Sequence, residues 1–416
     1  MLRRVGGLPL WGPLKVRPFR WLWVGASVSM LADQAFLVAL TWLVLEVAGP
    51  GAGLGAVLAV ASLPGTVLTP LGGVLSDRFS PAPLMTAASA GRVVLLALLA
   101  VLILTDATQL WHVYLLAGGL SALDALYYPA SMSIVPTLVD RNRLEAANAL
   151  AQGAEQITGI FGPALAGVLV ALVGLGAGFG ANALLFLIAT AIFARMAQGT
   201  NLSASEAERE LEADSDGVSM VTQILEGGRY VWRDPVIRSL LLILVGINLA
   251  MMGPLYVGGA TLAAARLGGA GAFASLVAVA GVGSLVGAAG AGSIGRPGRR
   301  GLLALVLTAA LGLFVAAIAL VSSLPAAVAL AFAIGTTASF LGVTNISWLQ
   351  ERSEPRLTGR VMSLAMFAAV SLDPVSFAIA GLLVELSLTV VFLSAGALLL
   401  LTALLGATSG AFRRSD

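Results

Sequence analysis

Residues 21–47 read WLWVGASVSMLADQAFLVALTWLVLEV, a run whose only charged side chains are Asp33 and Glu46. A helix that crosses about 30 Å of hydrocarbon needs about 20 apolar residues, so this run is long enough to span a bilayer. It is continuous where a membrane strand would alternate, and about twice the length such a strand requires. It is also too long for the core of a cleaved signal peptide and has no small-residue cleavage site before a soluble domain. The run therefore predicts a first transmembrane helix with a carboxyl group near its middle.

The rest of the chain repeats the pattern. Of 416 residues 58% are apolar and 11% charged, and the mean hydropathy is +0.97. A soluble domain, about a quarter charged, could not be surfaced from this composition. Further apolar runs follow at 54–75, 84–104, 111–135, 146–173, 179–196, 236–257, 272–294, 301–321, 326–348, 361–384 and 388–407. With the first they predict an all-α integral membrane protein of twelve transmembrane helices.

The basic residues test that count, because the cytoplasmic side retains them preferentially. With the amino terminus inside, alternate breaks collect every one of the 23 basic residues except Arg92, within a span, and Arg266, outside. One missed span would have put the later clusters outside. The expectation is a multi-pass protein of the bacterial cytoplasmic (inner) membrane with both termini in the cytoplasm.

Several chemistries are excluded. Cysteine is absent and the single histidine is His112, so a disulfide framework, a metal site of Cys or His ligands and a cysteine nucleophile all lack their residues. Lys15, the one lysine, follows Leu14, so there is no Gly-Lys-Ser/Thr phosphate loop and nucleotide hydrolysis is not the energy source. No cofactor and no metal is expected. A net charge of +2 and a pI of 9.3 point weakly to nucleic acid, whereas the hydropathy makes the lipid bilayer the partner.

The longest break, 197–234, is acidic in its first part and amphipathic over 218–232. It predicts a cytoplasmic linker with a surface helix, dividing the chain into an amino-terminal six-helix bundle, 1–196, and a carboxy-terminal one, 235–416. The halves rhyme. Gly72-Gly-Val-Leu-Ser-Asp-Arg78 follows the second span and Gly290-Ala-Gly-Ser-Ile-Gly-Arg296 the eighth; Asp140-Arg-Asn-Arg143 follows the fourth and Glu351-Arg-Ser-Glu-Pro-Arg356 the tenth. Parallel six-span repeats of this kind build a midplane site between two rocking bundles.

On these residues the chain resembles the major facilitator superfamily, whose loop after the second span reads Gly-x-x-x-Asp-Arg, here Gly73 to Arg78. Phe19-Arg-Trp-Leu-Trp23, Trp42-Leu-Val-Leu-Glu46, Gly162-Pro163, Arg229-Tyr-Val-Trp-Arg-Asp-Pro235 and Gly359-Arg-Val-Met-Ser-Leu364 are similar to its bacterial branch of enterobactin, macrolide and multidrug exporters. The resemblance implies two pseudo-symmetric bundles, alternating access, and a cytoplasmic gate at Gly73, Asp77 and Arg78. It also implies a helix-bend motif at Gly162 and Pro163 like that of the superfamily's antiporters. The chain departs from the pattern in two places: Ser80-Pro-Ala-Pro83 replaces the basic tail of the loop, and the fourth span lacks the arginine of many proton-coupled relatives.

Charged side chains inside spans are costly, about 2.5 to 3.5 kcal/mol each on insertion scales, and mark function or pairing. They are Asp33, Asp124, Glu155 and Asp373, with Arg92 a candidate partner for a carboxylate. A carboxyl that alternates between burial and water is a proton carrier in principle. Asn248 occupies in the seventh span roughly the place of Asp33 in the first and is the leading cavity candidate, with Gln152 a second. His112 reads as interfacial. The function expected is a secondary active transporter, not an enzyme, working as a monomer. It would export small amphiphilic or cationic compounds by proton antiport. Movement of a siderophore or lipid on the same fold, an uptake symporter, and a membrane enzyme are the competing readings, and composition does not separate drug from lipid or siderophore.

Overall fold

The computed structural model describes residues 11–78, 80–140, 143–199, 229–294, 298–354, 361–362, 364–365 and 371–414. No strand occurs among the described residues, and their helices of fourteen residues or more number twelve. They are α1 (Arg17–Ala48), α2 (Ala52–Arg78), α3 (Pro81–Leu104) and α4 (Leu110–Leu138). The stretch Leu144–Gly199 is interrupted at Gly174, at φ 79° and ψ 171°, and so comprises α5 (144–173) and α6 (175–199). Then come α7 (Pro235–Leu267), α8 (Ala270–Ile294), α9 (Arg300–Ala317), α10 (Leu324–Arg352), α11 (Asp373–Leu386) and α12 (Leu388–Thr408). Eight of these stretches, with α5 and α6 counted as one, are long and apolar enough to cross a membrane by length and composition.

Local chemistry sets many of the ends. Proline, which has no N–H to leave unpaired, opens α3, α7, α10 and α11. Asp234 caps α7 by accepting from the N–H groups of Val236 (2.8 Å) and Ile237 (3.3 Å), and Ser387 caps α12 by accepting from Val390 (3.1 Å). At Gly174 the backbone adopts a conformation that a side chain would disfavour, which separates the two helices where the sequence separates the apolar runs 146–173 and 179–196.

Two expectations from the sequence change. The seventh helix runs ten residues past the predicted end at Val257, through two wider π turns at Pro254–Gly258 and Ala263–Leu267. Arg266, at its far end, donates to the carbonyls of Ala319 (3.4 Å) and Val321 (3.5 Å) beyond α9, which accounts for a lone basic residue at that end. Asp373, expected near the middle of a continuous eleventh span, instead lies in the first turn of α11, after a turn at 371–372. The linker residues 200–228, including most of the predicted surface helix, lie outside the described residues; 229–233 are helical.

The chain packs as two compact units. One takes the described residues of Met1–Leu40 and Ala61–Glu206, the other those of Thr41–Val60 and Ala207–Asp416. In the first, α3 packs on α6, and a buried cluster joins Phe19 and Leu22 of α1, Met85 and Ala88 of α3, Tyr127 and Ile134 of α4, and Phe193 of α6. Gly25 lets α1 approach α6, since a Cβ there would lie 2.6 Å from the Phe193 ring. In the same unit Gly162 seats α5 against Gln34 of α1, and the Gly65 N–H donates to Ser121 Oγ (2.9 Å) between α2 and α4.

The second unit repeats these pairings six helices later. Gly246 packs α7 on Thr402 of α12, Gly253 packs α7 on Ser376 of α11, Gly283 and Gly287 pack α8 on α10, and Gly312 packs α9 on Gly396 of α12. Helix association in lipid depends on such close backbone approach, because lipid is as apolar as the side chains it would replace. The α1–α6, α1–α5, α2–α4 and α3–α6 pairs thus recur as α7–α12, α7–α11, α8–α10 and α9–α12. The pseudo-symmetry legible only as two loop matches in the sequence is a property of the packing.

Candidate functional site

Three of the intramembrane charges meet inside the first unit. Arg92 of α3 is 1% exposed and forms ion pairs with Asp124 of α4 and, at 3.7 Å, with Asp33 of α1. The guanidinium also donates to Ser29 Oγ of α1 (3.2 Å). It lies 4.4 Å from the centre of the Tyr127 ring and 5.3 Å from that of Phe186 on α6, distances at which the ring faces attract a cation. Four helices therefore hold one arginine.

The two carboxylates differ from their partner in exposure, with Asp33 at 39% and Asp124 at 50%. The positive charge is sealed into the wall of the unit and the negative charges stand at its accessible side. Helical spacing explains the arrangement: Ser29 is one turn before Asp33, and Tyr127 one turn after Asp124, so each helix presents an acid and an accessory group on one face. With both acids ionised the guanidinium balances one, and the cluster carries one negative charge in excess. Such a site takes up a proton or a cation to become neutral.

The remaining candidates are placed elsewhere. Glu155 is exposed on α5, with Tyr128 of α4 as its electrostatic neighbour, and Gln152 is exposed one turn earlier. Asp373 and Asn248 belong to the second unit; each is half-buried and has an Oδ1 atom that is buried without a hydrogen-bond partner. Gly73, Asp77 and Arg78 lie in the last turns of α2, and the surroundings of their side chains fall outside the described residues. Pro163 lies within α5 and Gly162 contributes the close approach to α1, while the one non-helical dihedral pair of the stretch Leu144–Gly199 falls at Gly174, after α5. His112 has a structural part: its Nδ1 accepts from the Gln109 N–H (3.0 Å) in the cap of α4, and its ring lies 3.8 Å from that of Trp111.

Sequence reasoning found the three charges and missed Ser29, Tyr127 and Phe186. The first two had a signal in their one-turn spacing from the acids. Phe186 had none, since only tertiary packing brings α6 to α3. No group of three or more metal-ligating side chains occurs among the described residues.

The model of the Major Facilitator Superfamily matches residues 22–372. The uncharacterized MFS-type transporter y4rN of Sinorhizobium fredii (strain NBRC 101917 / NGR234) is 28% identical over 386 residues, 90% of each chain. The uncharacterized MFS-type transporter YfiS of Bacillus subtilis (strain 168) is 26% identical over 217 residues, about half of each chain (52% and 49%). Among solved structures, a POT family transporter in complex with 5-aminolevulinic acid superposes with a TM-score of 0.72 at 13% identity, covering 97% of both chains. A mutant of the nucleoside transporter NupG gives 0.73 at 12% identity, covering 94% of this chain and 99% of that one. At these identities the two structures are similar in fold.

Proposed function

Because the chain belongs to the Major Facilitator Superfamily and is a multi-pass membrane transporter rather than an enzyme, we propose that it exports small amphiphilic cations in exchange for protons by alternating access. The observation that carries this reading is the charge balance around Arg92. Two half-exposed carboxylates share one buried guanidinium, so the cluster accepts one positive charge at a time, either a proton or the ammonium of a solute. Mutual exclusion at one negative charge is the thermodynamic requirement of an exchanger, since each ligand lowers the affinity for the other. Export, not uptake, is the direction supported by the motifs shared with the bacterial exporter branch, from Phe19–Trp23 to Gly359–Leu364. The proposal places 1–196 and 235–416 as the two moving halves, 197–234 as their linker, Asp77 and Arg78 at the cytoplasmic gate, and both termini in the cytoplasm of a bacterial inner membrane. A monomer suffices for this cycle.

The test is flux of a fluorescent cationic dye into proteoliposomes under an imposed pH gradient, comparing the parent with Asp33→Asn. Gradient-driven accumulation that disappears in the variant together with counterflow of the cationic dye, while the variant still elutes as the folded protein, supports exchange of proton and cation at the cluster. Dye movement that is the same with and without the gradient overturns it and turns the search to lipid or siderophore cargo.

A further inference from the structure

In the first unit α5 is exposed along two opposite faces. Asn148, Gln152 and Glu155 are all exposed and lie within about 60° of one another around the helix. On the other side Ile157, Phe161, Val168 and Leu172 form an exposed apolar stripe. An apolar stripe on a spanning helix meets lipid. A carboxylate and two amides turned toward lipid would be costly, so the polar stripe lines a space that water reaches.

A face of α4 meets this polar stripe. Tyr128, 50% exposed, is the electrostatic neighbour of Glu155. Asp124 of the Arg92 cluster lies one turn before Tyr128, and the exposed Met132 one turn after it. At 1.5 Å per residue the tyrosine is about 6 Å along α4 from Asp124, toward the end where Arg143 pairs with Asp140. Glu155 joins no ion pair among the described residues. A carboxylate with no counter-ion, an exposed ring and a thioether together suit a cation with an aromatic body. The acid and the ring face attract its charge, and the sulfur gives its body a polarisable contact.

We propose that Glu155 and Tyr128 form a loading site for cations with an aromatic body, through which the solute passes between the arginine-rich end of the unit and the Arg92 cluster, with Gln152 and Asn148 lining the approach. This rests on the reading of the cluster as a cation site. A charge on the approach to a site changes mainly the association rate, whereas a charge that grips the bound ligand changes mainly dissociation.

Stopped-flow fluorescence of the purified full-length protein in detergent separates the two roles, using a fluorescent aromatic monocation and a neutral analogue with the same rings. Glu155→Gln should slow association of the cation about fivefold and leave that of the neutral analogue unchanged. Glu155→Asp, which keeps the charge, should stay within about twofold of the parent. Tyr128→Leu should slow association about threefold, and Tyr128→Phe, which keeps the ring, should not. Ile157→Ala, on the lipid face, should change neither rate. Asp33→Asn should act instead by speeding dissociation. If Glu155→Gln leaves association unchanged, or slows the neutral analogue equally, the loading site is overturned while the Asp33→Asn effect still stands for the cluster. If Asp33→Asn leaves dissociation unchanged, the reading of the cluster fails whatever Glu155→Gln does. Absence of binding by the parent overturns both.

Discussion

Neutralising both acids of the Arg92 cluster should destabilise the protein far more than neutralising either one. At 3.7 Å and an effective dielectric of 20, the Asp33–Arg92 attraction is about 4 kcal/mol. Asp33 is 39% exposed, so solvent screening lowers its useful share to about 1–2 kcal/mol. In Asp33→Asn the guanidinium keeps Asp124, and in Asp124→Asn it keeps Asp33, Ser29 and two aromatic faces. Each single variant should therefore lose about 1–2 kcal/mol. In the double variant a side chain only 1% exposed is left charged with no counter-ion, and the loss should reach about 3–5 kcal/mol. Replacing the arginine as well, in Arg92→Met with both asparagines, removes the stranded charge and should recover part of that loss, since a buried ion pair exchanged whole for apolar volume is often neutral. Fluorescence-detected size exclusion after graded heating in detergent measures all four variants on one scale. A double variant no less stable than the sum of the singles, or a triple variant less stable than the double, would refute the view that Arg92 is a buried charge held by shared acids.

Other positions give sharper steric and hydrogen-bond tests on the same scale. Ser376 donates to Leu249 O and accepts from the Gly253 N–H, both at 2.7 Å, so Ser376→Ala should cost about 1–3 kcal/mol by orphaning a buried donor of α7. Gly253→Leu should fail to yield monodisperse protein, because its Cβ alone would clash with Ser376 O and lie 2.7 Å from Ala380 Cβ. Asp234→Ala removes the cap of α7 and the partner of Arg352 Nε (2.9 Å), and a loss of about 1–2 kcal/mol is expected. Glu155→Gln, on an exposed position, should change stability by no more than about 0.5 kcal/mol.

The helices were legible because the bilayer imposes their length and apolarity residue by residue, and the arginines mark which ends face the same side. What the sequence left open was decided by groups whose effect is not carried in hydropathy. Asp373 sits in an apolar stretch, yet Pro374 behind it starts a helix there instead of continuing one. The extension of α7 past Val257 crosses a run of glycines and alanines, which tolerate π turns, and ends at an arginine that finds carbonyl partners. The charged cluster was half legible. Cost singled out Asp33, Arg92 and Asp124 as residues needing a reason, but their convergence is a matter of how α1, α3 and α4 are rotated, and no local pattern records that. Glu155 and Asp373 carried the same sequence signal and joined no ion pair among the described residues.

The repeat doubles the packing without doubling the charge, and that asymmetry bears on mechanism. Where α1 carries Asp33, α7 carries Asn248 at about the same level; between Arg300 and Glu351 neither α9 nor α10 has any charged residue to match Arg92 and Asp124. Close glycine contacts recur in both halves because both must hold their helices in lipid, a constraint the two share. A buried cation with two acids serves no such shared need, and each copy would add its own insertion cost of several kcal/mol. A structural role common to both halves would have kept the cluster in both. Its confinement to the first unit fits the proposed exchange, in which one positive charge is held at one place.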